Sequence, residues 1–254
     1  MYVRKMALGG ILSNCLRTLA SWHGLLVFST LFLAGCETTQ PQRTTGRIGV
    51  VVVDAGHGGE DRGARPVFGH PEKALTLDTS RRLTNALRQR GFKVVNTRKG
   101  DYFVPLQTRV NIANRIRRND VLFVSVHYNW AKRPGASGVE VFYNNSHMAQ
   151  RAAVEVANKL NVVMPSDEFR GAKPAHFHVL RENRKPAILV EPGFVSNASD
   201  NRFIQKNANR QRIAVAIADG ILRASGGRMP ETTVFEPNAS IADEVMAARQ
   251  GRWR

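Results

Sequence analysis

The stretch from Ile48 to Ala64, IGVVVVDAGHGGEDRGA, constrains this chain more than any other. Four consecutive valines, then Asp54 and a glycine-rich turn, describe a strand buried on both faces that stops abruptly. Such a strand belongs in a sheet covered by helices, and His57 lies just past its carboxyl end. In open α/β sheets ligands bind at that edge, because the loops there diverge and leave a crevice.

From Arg47 onward strand and helix patterns alternate. Glu72 to Arg90 places Leu75, Leu83 and Leu87 on one helical face and stops at Gly91. Phe92 to Asn96 reads as a strand, Leu106 to Arg118 as a helix, and Val121 to Val126 (VLFVSV) as another buried strand. A strand over Gly138 to Tyr143 and a helix over Ala149 to Leu160 follow. Short strands over Phe177 to Leu180 and Ala187 to Val190 come next, then one long helix over Arg202 to Ala224. The alternation predicts an α/β fold: a mostly parallel twisted sheet of about six strands with helices on both faces.

The segment ahead of this domain has a different character. Met1 to Arg17 is basic, Leu25 to Leu33 is apolar, and Ala34-Gly35-Cys36 supplies small residues, which together predict a secretory leader over 1–36. Leu33-Ala34-Gly35-Cys36 resembles a bacterial lipobox, with Cys36 as the lipidation site and new amino terminus. Polar residues 37–46 read as a tether, 47–226 as the folded domain, and 227–254 as a tail with a short helix near Ala242 to Arg249. Cys15 and Cys36 are the only cysteines, so the domain has neither disulfide nor thiolate metal site. The net charge of +17 is scattered, carries little interleaved aromatic and matches no nucleic-acid motif, so DNA and RNA are not expected as partners. Anionic lipid or wall polymer attracts the same charge.

Three buried strands end in a residue suited to metal chemistry: one leads to His57, one to His127 and one to Glu191. If they are parallel neighbours, all three side chains stand on one sheet edge, and Glu72 opens a helix over it, favoured there by the helix dipole. Two histidines and a glutamate suit catalytic zinc, which leaves one position for water and lowers its pKa from 15.7 to about 7. A second carboxylate is then needed to move protons. Spacing alone does not say which glutamate binds and which transfers. Each residue taken singly has a duller explanation: a hydrogen-bonded strand-end histidine, a helix-start glutamate, or a glutamate paired with arginine. Their joint occurrence at one edge is what carries weight.

The run Asp54-Ala-Gly-His57-Gly-Gly-Glu-Asp61-Arg-Gly-Ala64 resembles the opening motif of the zinc-dependent N-acetylmuramoyl-L-alanine amidases of bacterial cell division. The similarity continues through Glu72-Lys73, Thr97-Arg98, Leu106 to Arg109, Ala113-Asn114, Ser125 to Asn129, Gly138 to Tyr143 and Leu189 to Asn197. It implies zinc held by His57, Glu72 and His127, with Glu191 as the catalytic carboxylate. The implied substrate is the amide joining the lactyl group of N-acetylmuramic acid to L-alanine in peptidoglycan or its fragments. Asn129, Arg98 and Arg109 match the motif as weaker substrate-binding candidates, for which core or loop-fixing duties serve equally well.

Arg62 departs from the family pattern, where proline is common, in a turn that should not touch the metal. The division amidases carry a helical insert that blocks the zinc site. Here Asn144 to Ala175 is short and holds one helix, so an open site needing no activator is expected. His176 and His178 would share a face at strand spacing, His70 is the nearest false ligand, and His147 has no evident role. The expected protein is a monomer on the periplasmic side of the bacterial envelope, held in the membrane by lipid, with the outer membrane favoured. The rival readings are a wall-binding lipoprotein without turnover and a zinc peptidase cutting within the stem peptide.

Overall fold

The computed structural model describes residues 47–227 apart from 134 and 167. The leader, Cys36, the tether and the tail with its predicted helix lie outside the described residues. Among those described, no helix is long and apolar enough to cross a membrane.

Six strands form one sheet in the order β2-β1-β3-β6-β4-β5: β1 (Val50–Ala55), β2 (Lys93–Asn96), β3 (Val121–Val126), β4 (Val139–Tyr143), β5 (Phe169–Pro174) and β6 (Ala187–Glu191). β2, β1, β3 and β6 run parallel, whereas β4 pairs antiparallel with β6 and carries β5 with it. Every residue of β1 and β3 is buried, as their unbroken apolar runs demand.

On one face α1 (Glu72–Gln89), α3 (His147–Val163) and α6 (Asn207–Ala224) pack over Val51, Val53, Leu122, Val124 and Val190. On the other, α2 (Leu106–Asn114) and the short α4 (His178–Arg181) cover Val50, Val52, Phe123 and Leu189. Side-chain alternation therefore turns Asp54, Ser125 and Glu191 toward the second face at the carboxyl edge.

Three expectations need correction. Phe177 to Leu180 is not a strand: α4 begins at His178, with Val179 and Leu180 buried against the sheet. The sixth strand is instead Phe169–Pro174, an edge strand whose sequence, FRGAKP, has no apolar alternation and ends in proline. His176 and His178 accordingly do not share a strand face. The long final helix is also divided, into α5 (Ala198–Ile204) and α6. Asn197 caps α5 by accepting from the amides of Ser199 and Asp200, and the Arg210 guanidinium binds the carbonyls of Ile204 and Gln205 that the break exposes.

A buried ion pair fixes the carboxyl edge. Asp54, at the end of β1, accepts from Arg109 Nη1 at 2.8 Å, from Ser125 Oγ at 2.6 Å and from Thr97 Oγ1 at 2.5 Å. Burial alone would raise its pKa, but Arg109 and the two hydroxyls outweigh that and hold it below the ordinary value. The contribution is therefore present above the unfolded value near 3.8 and lost as pH falls through the lower folded value. Asp54→Asn leaves Arg109 buried without its charge partner and should cost about 3–5 kcal/mol in urea unfolding at neutral pH. That gap should narrow below the unfolded value. A loss under about 1 kcal/mol would show the pair is dispensable.

Candidate metal centre and its neighbouring carboxyl

The edge loop 56–64 is built to bring ligands close. His57 takes φ of +61°, unusual for a side-chain-bearing residue, and the next turn closes with Gly58 and Asp61 exchanging backbone hydrogen bonds at 2.9 and 3.2 Å. Lys73 Nζ anchors the loop to the β2–α2 connection, donating to the Gly59 carbonyl at 2.7 Å and to Asp101 at 2.8 Å. Arg98 and Arg109 support it from beneath. Arg98 donates to the carbonyls of Ala55, Gly56 and Lys73, and Arg109 to those of Ala55 and His57. Burial, then the charge of Arg109, draws the Arg98 pKa down to about 10. Both residues are about 2% exposed and bind loop carbonyls from beneath, and Arg109 also lines the cavity beside His57 and His127.

His57, Glu72 and His127 converge: one ligand atom from each lies within 4.8 Å of the others, in the only such group of three among the described residues. His57 Nε2 is 3.1 Å from Glu72 Oε2, and His127 Nδ1 is 3.2 Å from Glu72 Oε1. Glu72, 2% exposed, also accepts from the amides of Ala64 at 2.6 Å and Tyr128 at 3.0 Å. Burial works against its charge, yet the two histidines hold its pKa far below the carboxylate range. His57 Nδ1 meets Asp61 Oδ2 at 2.8 Å, which fixes the ring so that Nε2 faces Glu72. Burial lowers the His57 pKa, but Glu72 and Asp61 raise it on balance.

The donor set and its surroundings fit a divalent ion. A Cβ on Gly63 would lie 2.5 Å from Glu72 Oε2 and 2.6 Å from His57 Cδ2, and one on Gly56 would lie 2.3 Å from the His127 ring. These glycines leave room only for the ligand side chains. Each imidazole keeps 21% of its side chain exposed, so the cluster opens to solvent.

Glu191 ends β6 beside the cluster, where the His127 amide donates to the carbonyl of Val190 at 3.0 Å. Its Oε2 is buried without a hydrogen-bond partner among the described residues. Burial pushes its pKa well above the usual range, and the charges of Glu72 and Glu140 push it further. Glu140 lies directly opposite in the antiparallel pair and is bonded by Lys173 at 2.7 Å and by Asn129 at 2.6 Å. Asn129 thus orients a carboxylate next to Glu191. Asp61, Glu140 and the packing role of Gly63 escaped the sequence reading; only Asp61, four residues after His57 in the same turn, carried a legible hint.

A cavity of about 350 Å³ adjoins His57 and His127, walled by Phe103, Leu106, Phe177 and Val179. His178 reaches Gln107 at 3.2 Å and joins α4 to α2 at its rim. His70 and His147 are exposed and stand outside the cluster.

An α/β sheet with two histidines and a glutamate converging at its carboxyl edge, next to a buried carboxyl, is an arrangement that could hold a divalent ion and serve a hydrolase. The chain belongs to the N-acetylmuramoyl-L-alanine amidase family, whose model matches residues 51–223. AmiA of Escherichia coli (strain K12), an N-acetylmuramoyl-L-alanine amidase, is 31% identical over 218 residues, covering 68% of this chain and 75% of that protein. LytC of Bacillus subtilis (strain 168) is 34% identical over 173 residues, and the match spans 67% of this chain but about a third (34%) of that relative. The solved structure of the amidase AmiC2 of Nostoc punctiforme superposes with a TM-score of 0.64 at 39% identity, covering 69% of this chain and 96% of that one. The catalytic domain of CwlV from Bacillus (Paenibacillus) polymyxa var. colistinus gives 0.64 at 32%, covering 69% and 97%.

Asp61→Ala should weaken zinc binding by about 10–100-fold, because the His57 ring loses the partner that orients it. Zinc titration against a competing chelator measures this, with the far-UV spectrum unchanged. Unaltered affinity would remove Asp61 from the site's support.

Proposed function

We propose that the chain is a zinc-dependent amidase that hydrolyses the bond between N-acetylmuramic acid and L-alanine in peptidoglycan stem peptides. It would act in the bacterial envelope from a lipid anchor at Cys36. The observation that carries the reading is the approach of His57, Glu72 and His127 ligand atoms to within 4.8 Å of one another, with the partnerless carboxyl oxygen of Glu191 alongside. Family membership and the likeness to AmiA, an N-acetylmuramoyl-L-alanine amidase, support the substrate assignment.

His57, Glu72 and His127 would hold the ion. A bound zinc supplies Lewis acidity and brings the pKa of a water to about 7. Asp61 fixes the tautomer and angle of His57, and the amides of Ala64 and Tyr128 keep both oxygens of Glu72 in place. Glu191 is suited to proton transfer, since its carboxyl stands beside the cluster and burial raises its pKa well above the ordinary value, which makes it a better proton acceptor than an exposed carboxylate. It takes the proton from the attacking water and returns it to the departing amine of L-alanine, so the carboxyl ends as it began. The apolar wall of Phe103, Leu106 and Phe177 suits the methyl groups of the lactyl and alanyl units.

Glu191→Gln should lower kcat on purified sacculi by about 10²–10⁴-fold while zinc content stays at the wild-type level. Mass spectrometry of the wild-type products should show N-acetylmuramic acid residues bearing a free lactyl carboxyl and intact stem peptides with a free L-alanine amino terminus. Cleavage inside the stem peptide would make the chain a peptidase, and no cleavage by zinc-loaded protein would leave a wall binder. The exposed imidazoles support turnover without an activating partner. Near-zero activity of the purified chain that an added envelope extract restores would overturn that part of the reading.

A further inference from the structure

The charges of the domain are unevenly divided between the two edges of its sheet. At the carboxyl edge Asp61, Glu72, Asp101, Glu140 and Glu191 crowd around the metal cluster and its support. Lys73, Arg98, Arg109 and Lys173 engage carboxylates or nearby carbonyls there, while Arg62, Arg65, Lys99 and Arg133 make no ion pair among the described residues, so the acids offset much but not all of the basic charge. The opposite edge, where β1, β2, β3 and β6 begin and α1, α2 and α6 end, is basic. Its acids are engaged by arginines: Asp120 by Arg118 at 2.6 Å, Asp219 by Arg90 at 2.6 Å and Glu182 by Arg181 at 2.8 Å. Arg88, Lys93, Arg117 and Arg184 remain, and none of them makes an ion pair among the described residues.

These cations come from separate segments: the last turn of α1, the first residue of β2, the connection into β3 and the connection into β6. The Arg184 amide bonded to Asn114 Oδ1 at 2.8 Å joins the connection into β6 to the end of α2. A helix dipole accounts for Arg88, which closes α1, but not for Lys93 or Arg184. The described chain also enters at this edge, through Arg47 ahead of β1, and α6 returns to it. Residues 37–46 allow at most about 40 Å between Cys36 and that entry point.

We propose that this amino edge of the sheet lies against an anionic lipid surface, turning the metal site away from the bilayer and toward the wall. The proposal rests on the reading of Cys36 as a lipid anchor. The tether joins the domain at this edge, so it is the basic residues here that an anchored chain would bring within reach of a surface potential that decays over a Debye length of about 8 Å. A wall polymer is the less suitable occupant, because the substrate must reach the other edge of the same domain. Cations spread over several segments, with their acids already engaged, are what a flat anionic surface attracts without a specific pocket.

Solved relatives in which the match fills 96% and 97% of the chain consist almost wholly of this domain, so a chain starting at residue 37 folds without its leader. That lipid-free chain should sediment with vesicles of mixed phosphatidylglycerol and phosphatidylcholine, not with phosphatidylcholine alone, and should be released by high salt. Replacing Arg117 and Arg184 together by Gln should weaken binding about 25-fold, from roughly fivefold for each basic residue near the surface. The pair Lys99→Gln and Arg133→Gln, of equal charge change at the other edge, should leave binding within about twofold, the scatter expected away from the contact. Equal loss in both pairs, binding to neutral vesicles, or no binding to the anionic ones would overturn the proposal. Acylation is read separately, from the mass of the amino-terminal peptide of membrane-extracted protein. An unmodified Cys36 would remove the anchor while the vesicle result still decides the edge.

Discussion

The carboxylate of Glu72 is the constraint on which the site depends. It starts α1, so it reaches the sheet edge only if that helix is docked. Its two oxygens are then divided between His57 with the Ala64 amide and His127 with the Tyr128 amide. A carboxylate about 98% removed from solvent is expensive unless every direction is satisfied. Here the satisfying groups come from the loop after β1 and the loop after β3. The charge thus ties two strand ends and a helix start into one arrangement, which exists only in the folded domain. The glycines on either side of His57 follow from the same crowding, since a Cβ at Gly63 or Gly56 would enter the space the ligands occupy.

The same edge treats two carboxyls in opposite ways, and that contrast suits them to the two roles proposed for them. Glu72 faces imidazoles and amide donors, so its charge is favoured despite burial. Glu191 faces other carboxylates and no donor at Oε2, so its proton is favoured. Pairs of titratable groups whose surroundings push them apart are how one pocket supplies a permanently charged ligand and a proton carrier together. Asn129 and Lys173 hold the Glu140 carboxyl in place next to Glu191, so its effect on Glu191 is built into the strand pairing.

Much of this was legible in the sequence because buried parallel strands write themselves as unbroken apolar runs. VVVV and VLFVSV each read as a buried strand with a histidine beyond it, while the order of strands in the sheet did not follow from the pattern. Glu72 was legible as a helix start, and the resemblance separated its role from that of Glu191. What could not be read depended on tertiary partners. β5 has no pattern of its own and is a strand only because β4 offers it an edge. Phe177 to Leu180 has strand-like composition, yet Val179 and Leu180 find their burial from one turn of helix. The break between α5 and α6 is stabilised by Arg210, whose target carbonyls exist only once the chain has turned. Arg98 and Arg109 belonged to a recognisable motif, but only their burial beneath loop 56–64 shows that backbone carbonyls are what they bind.

The reversal of β4 has a chemical consequence that a fully parallel sheet would lack. In a parallel neighbour of β6, the residue beside Glu191 would be a strand end leading into another loop. Because β4 runs the other way, the position opposite Glu191 is near the start of a strand that continues down into the core. Glu140 is therefore held by regular pairing on one side and by Lys173 of β5 on the other. A carboxylate placed this way cannot swing away from Glu191 to relieve their repulsion. Strand direction, which the apolar pattern does not encode, thus sets the electrostatics of the residue best suited to carry the proton.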